Sequence, residues 1–303
     1  MIQSQDNPIT RVALVGYGEV GKIFCAELAQ QGLAVSACDR QSGNAAMREH
    51  ARTVGVPLFD HASKLPRETQ LVISAVTAAS ALDAARDAAP AIGTGAWFLD
   101  INSTSPATKQ QCAEVIESAG GRFVEAAVMS AVPPYGLAAP MLLGGPRSAE
   151  ASPILAGLGF RVTAISDRTG VAAATKMCRS VIVKGLEAVV VDGFTAARRY
   201  GVEKEVITYL EHAFPGFDWQ AEAGYFFDRI FRHGRRRGEE MQEAAATLRE
   251  AGLGPAMPAA TAERQFAIAE QVRQSGHEVA DDGDWQASAD FLIGLLEKGD
   301  PRR

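Results

Sequence analysis

A short apolar run, Val12-Ala13-Leu14-Val15, leads directly into Gly16-Tyr17-Gly18-Glu19-Val20-Gly21, and a helical pattern opens behind it. Each glycine in that spacing has a physical use. Gly16 permits a tight turn, Gly18 lets the backbone approach a pyrophosphate, and Gly21 lets the helix pack on the strand. The anion then sits at a helix N-terminus, where unpaired N–H groups and the positive end of the helix dipole favour it. Asp39 follows Gly21 by 18 residues, at the end of the second expected strand, where an acid hydrogen-bonds ribose hydroxyls. A ligand-free strand–helix turn is the alternative, and the joint presence of strand, helix and acid weighs against it. These residues point to a nicotinamide dinucleotide, with Gly16, Tyr17, Gly18, Glu19, Val20, Gly21, Asp39, Arg40 and Val76 as its expected contacts.

Asp39 and Arg40 pull in opposite directions on the choice of dinucleotide. A carboxylate at the ribose repels a 2′-phosphate, whereas a neighbouring guanidinium can hold one or stack on adenine. NAD is therefore expected, with NADP possible through Arg40.

The elements that must position this loop follow from periodicity. Short apolar runs at 11–15, 34–38, 71–75, 97–101, 123–127, 140–143 and 160–165 alternate with helical stretches at 19–31, 45–54, 79–89, 106–119 and 149–155. Such alternation predicts right-handed βαβ crossovers and a mainly parallel, doubly wound sheet, a Rossmann-type α/β fold. After residue 165 the pattern becomes helical throughout, at 171–197, 203–213, 221–231, 236–251, 259–275 and 285–297, with a break expected at His233-Gly234. The expected organisation is thus an α/β dinucleotide-binding domain at 10–167 and an all-α substrate and dimerisation domain at 168–303.

Composition excludes several other classes. The chain has 303 residues, 47% hydrophobic and 22% charged, enough for two cored domains. No apolar run reaches the roughly 18 residues of a membrane span, and the polar lead-in 1–8 reads as frayed chain and not a signal peptide. A net charge of −6 argues against nucleic acid as the main partner. Cys25, Cys38, Cys112 and Cys178 are scattered, so neither a disulfide framework nor a zinc site is expected. Reduced thiols packed as small hydrophobes, in a cytoplasmic protein, are the better expectation. The histidines, His212 and His277 among them, form no metal-spaced set.

At Thr169-Gly170-Val171-Ala172-Ala173-Ala174-Thr175-Lys176 the chain resembles the β-hydroxyacid dehydrogenases, the group of 3-hydroxyisobutyrate and 6-phosphogluconate dehydrogenases. It looks closest to a less characterised branch with its own C-terminal helical domain. The glycine loop, Asp100-Ile101-Asn102-Ser103-Thr104-Ser105-Pro106 and the loop around Ser130 carry the same resemblance. A weaker echo runs from Glu240-Met241 to Ala251-Gly252 and Pro255, then through 284–289. It implies that Lys176 is the acid/base of a hydride transfer between a nicotinamide cofactor and a hydroxyacid or related alcohol or carbonyl. A lysine suits that role when burial and a cationic ring lower its pKa, and the apolar or small neighbours of Lys176 suggest burial; the bland alternative is a lysine snorkelling from a helix surface. It also implies substrate contacts at Asn102, Ser103, Ser130 and Ser180, and a homodimer or higher even oligomer.

Some of these residues have competing readings, and some depart from the family's pattern. Asn102 can be a turn residue, and Ser103 or Thr104 the N-cap before Pro106. Ser180 stands where relatives carry asparagine, four residues after Lys176 on one helix face with Lys184. The family's Ser-Gly-Gly substrate loop here reads Ser130-Ala131-Val132, followed by a stiffening Pro133-Pro134. Side chains at 131 and 132 hinder backbone approach, which makes a bulkier or less acidic substrate plausible. The basic run Arg232-His233-Gly234-Arg235-Arg236-Arg237 reads as a solvated helix start or subunit contact, with an anion clamp as the other reading. Two further functions remain open: imine reduction, in which a hydroxyl or carboxyl group commonly replaces the lysine, and a nucleotide-sensing or scaffold protein without chemistry.

Overall fold

The computed structural model describes residues 9–276 and 283–298. The polar lead-in 1–8 and His277 lie outside them. The chain divides into two compact units, Met1–Met177 and Cys178–Arg303.

The first unit is built on β1 (Arg11–Val15), β2 (Ala34–Cys38), β3 (Leu58–Phe59), β4 (Leu71–Ser74), β5 (Trp97–Asp100), β6 (Arg122–Val128), β7 (Met141–Gly144) and β8 (Val162–Ser166). They form one sheet in the order β3-β2-β1-β4-β5-β6-β7-β8. The order reverses direction at β1, with β2 on one side and β4 on the other, which is where doubly wound sheets open a crevice for ligand. Every pairing is parallel except β6 with β7. The sheet is covered on both faces, so its central strands read as continuous apolar runs. On β1, Val12 and Leu14 enter one core with Phe24, Leu28 and Ile73. Ala13 and Val15 enter the other with Val72, Phe98 and Phe123. The helices between strands are α1 (Glu19–Gln30), α2 (Ala45–Thr53), α3 (Ala81–Ala88), α4 (Pro106–Ser118) and α5 (Ser148–Gly157). The two-residue β3 was not expected from periodicity, being too short to show any. Three thiols, Cys25, Cys38 and Cys112, are buried as expected, whereas Cys178 is exposed. Burial pushes the Cys38 and Cys112 thiols up to about 12, which keeps them protonated and inert.

A 30-residue helix, α6 (Val171–Tyr200), begins in the first unit. The second unit continues with α7 (Glu203–Ala213), α8 (Trp219–Glu250), α9 (Ala256–Ser275) and α10 (Trp285–Lys298). Its core gathers Val191, Phe194, Phe227, Ile230, Ile268, Trp285 and Ala289. One expectation fails here. The break at His233-Gly234 does not exist, and α8 runs unbroken through it. Gly234 serves close packing: a Cβ there would lie 2.8 Å from the Gln265 carbonyl oxygen and 3.0 Å from the Ala269 Cβ on α9. The basic run is therefore mid-helix and not a helix start. Arg237 is buried against Glu187 of α6, while Arg235 and Arg236 face Glu239 and Glu240 one turn on. Among the described residues no helix is long and apolar enough to cross a membrane.

Candidate active site

The glycine loop leaves β1 and enters α1, with each glycine under a different constraint. Gly16 has φ +99°, and a Cβ on it would sit 2.3 Å from the Ala75 carbonyl oxygen of the neighbouring crossover. At Gly21 a Cβ would meet the Gly16 carbonyl oxygen at 2.1 Å. Both glycines are demanded by the fold. Gly18 is not: its backbone is extended at φ −74°, and a Cβ there would meet nothing within 4 Å. The space over Gly18 is a cradle that a side chain would fill, beside the first-turn amides at Glu19 and Val20, which have no intrahelical acceptor. Those features fit a dinucleotide pyrophosphate.

The residues around the loop are tied to it. Asp39, just past β2, accepts from the Tyr17 backbone N–H and the Gln41 N–H, both at 2.8 Å. Tyr17 contributes only its backbone to the loop surface. Its ring is fully buried, with the hydroxyl 2.9 Å from His50 Nδ1. Arg40 is exposed, its guanidinium 3.5 Å from Asp87, which also lies 3.4 Å from His61. The Val76 side chain stands 3.0 Å from the position of a Gly16 Cβ, and its backbone N–H donates to Asn102 Oδ1 at 2.7 Å.

Asn102 is the knot of the second strand end. Besides accepting from Val76, it donates through Nδ2 to Ser74 Oγ at 2.9 Å, and its own N–H donates to Asp100 Oδ1. Its side chain, 4% exposed, thus joins the ends of β4 and β5. The helix cap expected at Ser103 or Thr104 falls instead on Ser105, whose side chain accepts from Thr108 N–H ahead of Pro106. Ser103 is left to another partner: Lys176 Nζ donates to its Oγ at 2.5 Å. Lys176 is half-buried, with Thr175 and Cys178 beside it exposed, so the segment is less enclosed than its apolar flanks suggest.

The remaining expected positions are less drawn in. Ser130, exposed at the end of β6, donates to the Ala131 carbonyl at 3.2 Å. The loop after it folds into a turn, with the Tyr135 and Gly136 N–H groups both on the Val132 carbonyl, and Leu137 N–H on Glu27 of α1. Within the second unit, Ser180 is buried and accepts from Lys184 Nζ at 2.9 Å. Lys184 also pairs with Glu240 at 2.8 Å, and burial draws its pKa down against the pull of that carboxylate. Among the described residues no acidic, histidine or cysteine group could hold a metal ion.

Two buried ionisable groups beside Asp100 were not anticipated. Lys109 of α4 lies 3.0 Å from Asp100 Oδ1 and donates to the Asp100 carbonyl at 2.8 Å. Glu125, on β6 directly beside Asp100 in register, is fully buried and accepts from the Gly170 and Ala172 N–H groups at the start of α6. The signal was present in the sequence: a glutamate inside the apolar strand Phe123-Val124-Glu125-Ala126-Ala127 is a buried carboxylate that needs partners.

The NAD binding domain of 6-phosphogluconate dehydrogenase matches residues 11–166, the whole of the sheet and its crossovers. The chain belongs to that family. In class it is accordingly an NAD(P)-dependent oxidoreductase. Residues 197–268 match a domain of unknown function, DUF1932. A conserved hypothetical protein from Sinorhizobium meliloti is 33% identical, with 93% of this chain and 96% of that one covered and a TM-score of 0.76. A second solved structure is a conserved protein of unknown function described as structurally similar to 3-hydroxyacid dehydrogenases. It is 32% identical, covering 88% of this chain and 100% of its own, with a TM-score of 0.69. The 3-hydroxyisobutyrate dehydrogenase of Mycobacterium tuberculosis with L-serine shares the fold at 18% identity and TM-score 0.68, over 94% and 99% of the two chains.

Proposed function

We propose that this protein moves a hydride between a nicotinamide cofactor and a hydroxyacid, or a related alcohol and its carbonyl, with Lys176 as the general acid/base. The observation that carries the reading is the contact of Lys176 Nζ with Ser103 Oγ. It sets an ammonium against a hydroxyl at the carboxyl edge of β5, where ligands of doubly wound sheets bind. A bound nicotinamide supplies the hydride acceptor or donor. Lys176 does the proton chemistry: its neutral amine takes the hydroxyl proton during oxidation, and its ammonium returns one to the forming alkoxide during reduction. Ser103 holds the amine in place, Asn102 holds the backbone that presents Ser103, and Ser130 is the remaining substrate-side hydroxyl of the first unit. A nucleotide sensor has no need of a lysine at this position, and imine reduction does not call for it.

NAD is the proposed cofactor, supported by a carboxylate at Asp39 just past β2, where an acid would bind ribose hydroxyls and repel a 2′-phosphate; Arg40 is the residue through which NADP would be accepted. A panel of hydroxyacids, alcohols and carbonyls, followed at the reduced-nicotinamide absorbance with both cofactors, tests substrate class and cofactor together. Lys176→Met should lower kcat about 10²–10⁴-fold on the best substrate; turnover near the parent value would remove Lys176 from the chemistry. Tight cofactor binding with no hydride transfer to any panel member would favour the sensor.

The homodimer belongs to the same reading. Ile182, Val189 and Ala196 recur at seven-residue steps on the exposed face of α6, with Ile182 73% and Val189 60% exposed. Between them Gly185 and Gly193 open onto empty space. A stripe of that kind suits close approach of a helix from a second copy.

A further inference from the structure

The position of Lys176 depends on where α6 begins, and the start of α6 is held by a residue remote in sequence. Gly170 and Ala172 N–H both donate to Glu125 Oε1, at 2.8 and 3.0 Å. Gly170 stands just before α6 and Ala172 in its first turn, and neither N–H has an acceptor within the helix. The carboxylate reaches them from the middle of β6, which is buried from Phe123 to Val128. The fold makes room for it: Gly144 of β7 pairs with Glu125 in register, and a Cβ there would lie 2.2 Å from Glu125 Oε1. From the other side, the helix start is wedged on α4. A Cβ on Gly170 would meet the Pro106 Cβ at 3.1 Å, and Gly170 has φ +99°. Ala172 and Lys176 are four residues apart, hence on one face of α6 and about 6 Å apart along its axis.

Burial pushes the Glu125 carboxyl up from its ordinary range, while Lys109 and the α6 amides oppose that rise. A buried carboxylate is costly unless hydrogen bonds or opposite charges satisfy it. Here its partners are the positive end of the helix that carries the acid/base. A displacement of α6 by about 1 Å would undo the Lys176–Ser103 contact, a scale at which rates suffer.

We propose that Glu125 is a positioning residue: it clamps the first turn of α6 and thereby sets Lys176 against Ser103. The proposal rests on the reading of Lys176 as the acid/base, but its test reads Lys176 directly and needs no substrate. Competitive acetylation of the full chain with trace acetic anhydride, followed across pH by mass spectrometry, gives the reactivity of Lys176 relative to exposed Lys204. In Glu125→Ala the Lys176 profile should shift by about threefold or more in relative reactivity, the equivalent of half a pKa unit. Glu125→Gln, whose amide oxygen still accepts from both N–H groups, should keep the parent profile. An unchanged profile in Glu125→Ala, or equal shifts in Ala and Gln variants, would overturn the proposal. Should Glu125→Ala not fold, Glu125→Asp, which withdraws the carboxylate by one methylene, carries the same comparison. Failure of the acid/base reading shows separately, as retained turnover in Lys176→Met. If that variant loses turnover while the Glu125→Ala profile is unmoved, the positioning role alone is lost.

Discussion

Gly18 differs from the two loop glycines that the fold itself requires. Gly16 and Gly21 are hemmed in by backbone oxygens at 2.3 and 2.1 Å, and Gly18 by nothing. Gly18→Ala should therefore leave the melting temperature close to that of the parent while weakening dinucleotide binding by about tenfold or more, near 1.4 kcal/mol. Gly21→Ala should instead destabilise the chain by about 1–3 kcal/mol, since helix and loop must part. Calorimetric Tm and a cofactor titration of both variants check the pair; equal cofactor affinity in Gly18→Ala and the parent would show that the cradle is not used. Glu125 makes a second prediction at this scale. Its folded-state pKa lies above the ordinary 4.5, so the folded chain binds that proton more tightly than the unfolded chain. The stabilisation from this group is full below about 4.5 and is lost as pH rises through the raised value. Other carboxylates act in the opposite sense, so the parent is best compared with Glu125→Gln. The Tm difference, parent minus variant, should fall as pH rises above 4.5, and a constant difference would contradict it.

Among the elements, α8 shows how a punctuation residue misleads. Gly next to His within a run of arginines reads locally as a helix break, because glycine weakens a helix by about 1 kcal/mol relative to alanine. In the folded chain Gly234 is where α9 lies against α8, with the Gln265 carbonyl oxygen in the way of any Cβ. The sign of a substitution decides between these roles. In an unpacked helix Gly234→Ala would stabilise by about that amount, whereas at this contact it should destabilise by about 1–3 kcal/mol. Urea unfolding of the variant reads the difference. The start of α4 teaches the same lesson on a smaller scale. Four hydroxyl- or amide-bearing residues precede Pro106, and local sequence could not say which one caps. The cap is Ser105, while Asn102 bonds Ser74 and Val76, and Ser103 bonds Lys176. Ser105→Ala should cost about 1 kcal/mol of stability without touching the Lys176 contact.

For the molecule as a whole, the proposed dimer is the most direct prediction. Light scattering should give twice the chain mass, and the double variant Ile182→Glu, Val189→Glu should give a monomer. A monomeric parent would refute the α6 face as an interface. The two-part organisation, the parallel sheet and the glycine loop were all legible in the sequence, because strand and helix periodicities and the GxGxxG spacing are local patterns. Asp39 could be singled out by its distance from the glycine loop, whereas Lys176 was singled out only by the resemblance at 169–176. What tertiary structure alone decided is which polar groups meet. Glu125 lies 45 residues before Gly170, and Ser103 lies 73 before Lys176. No local periodicity encodes pairings at that separation; they arise when β5, β6 and the start of α6 are brought to one edge of the sheet. The residue types are therefore written along the chain, and which of them meet is decided only once it has folded.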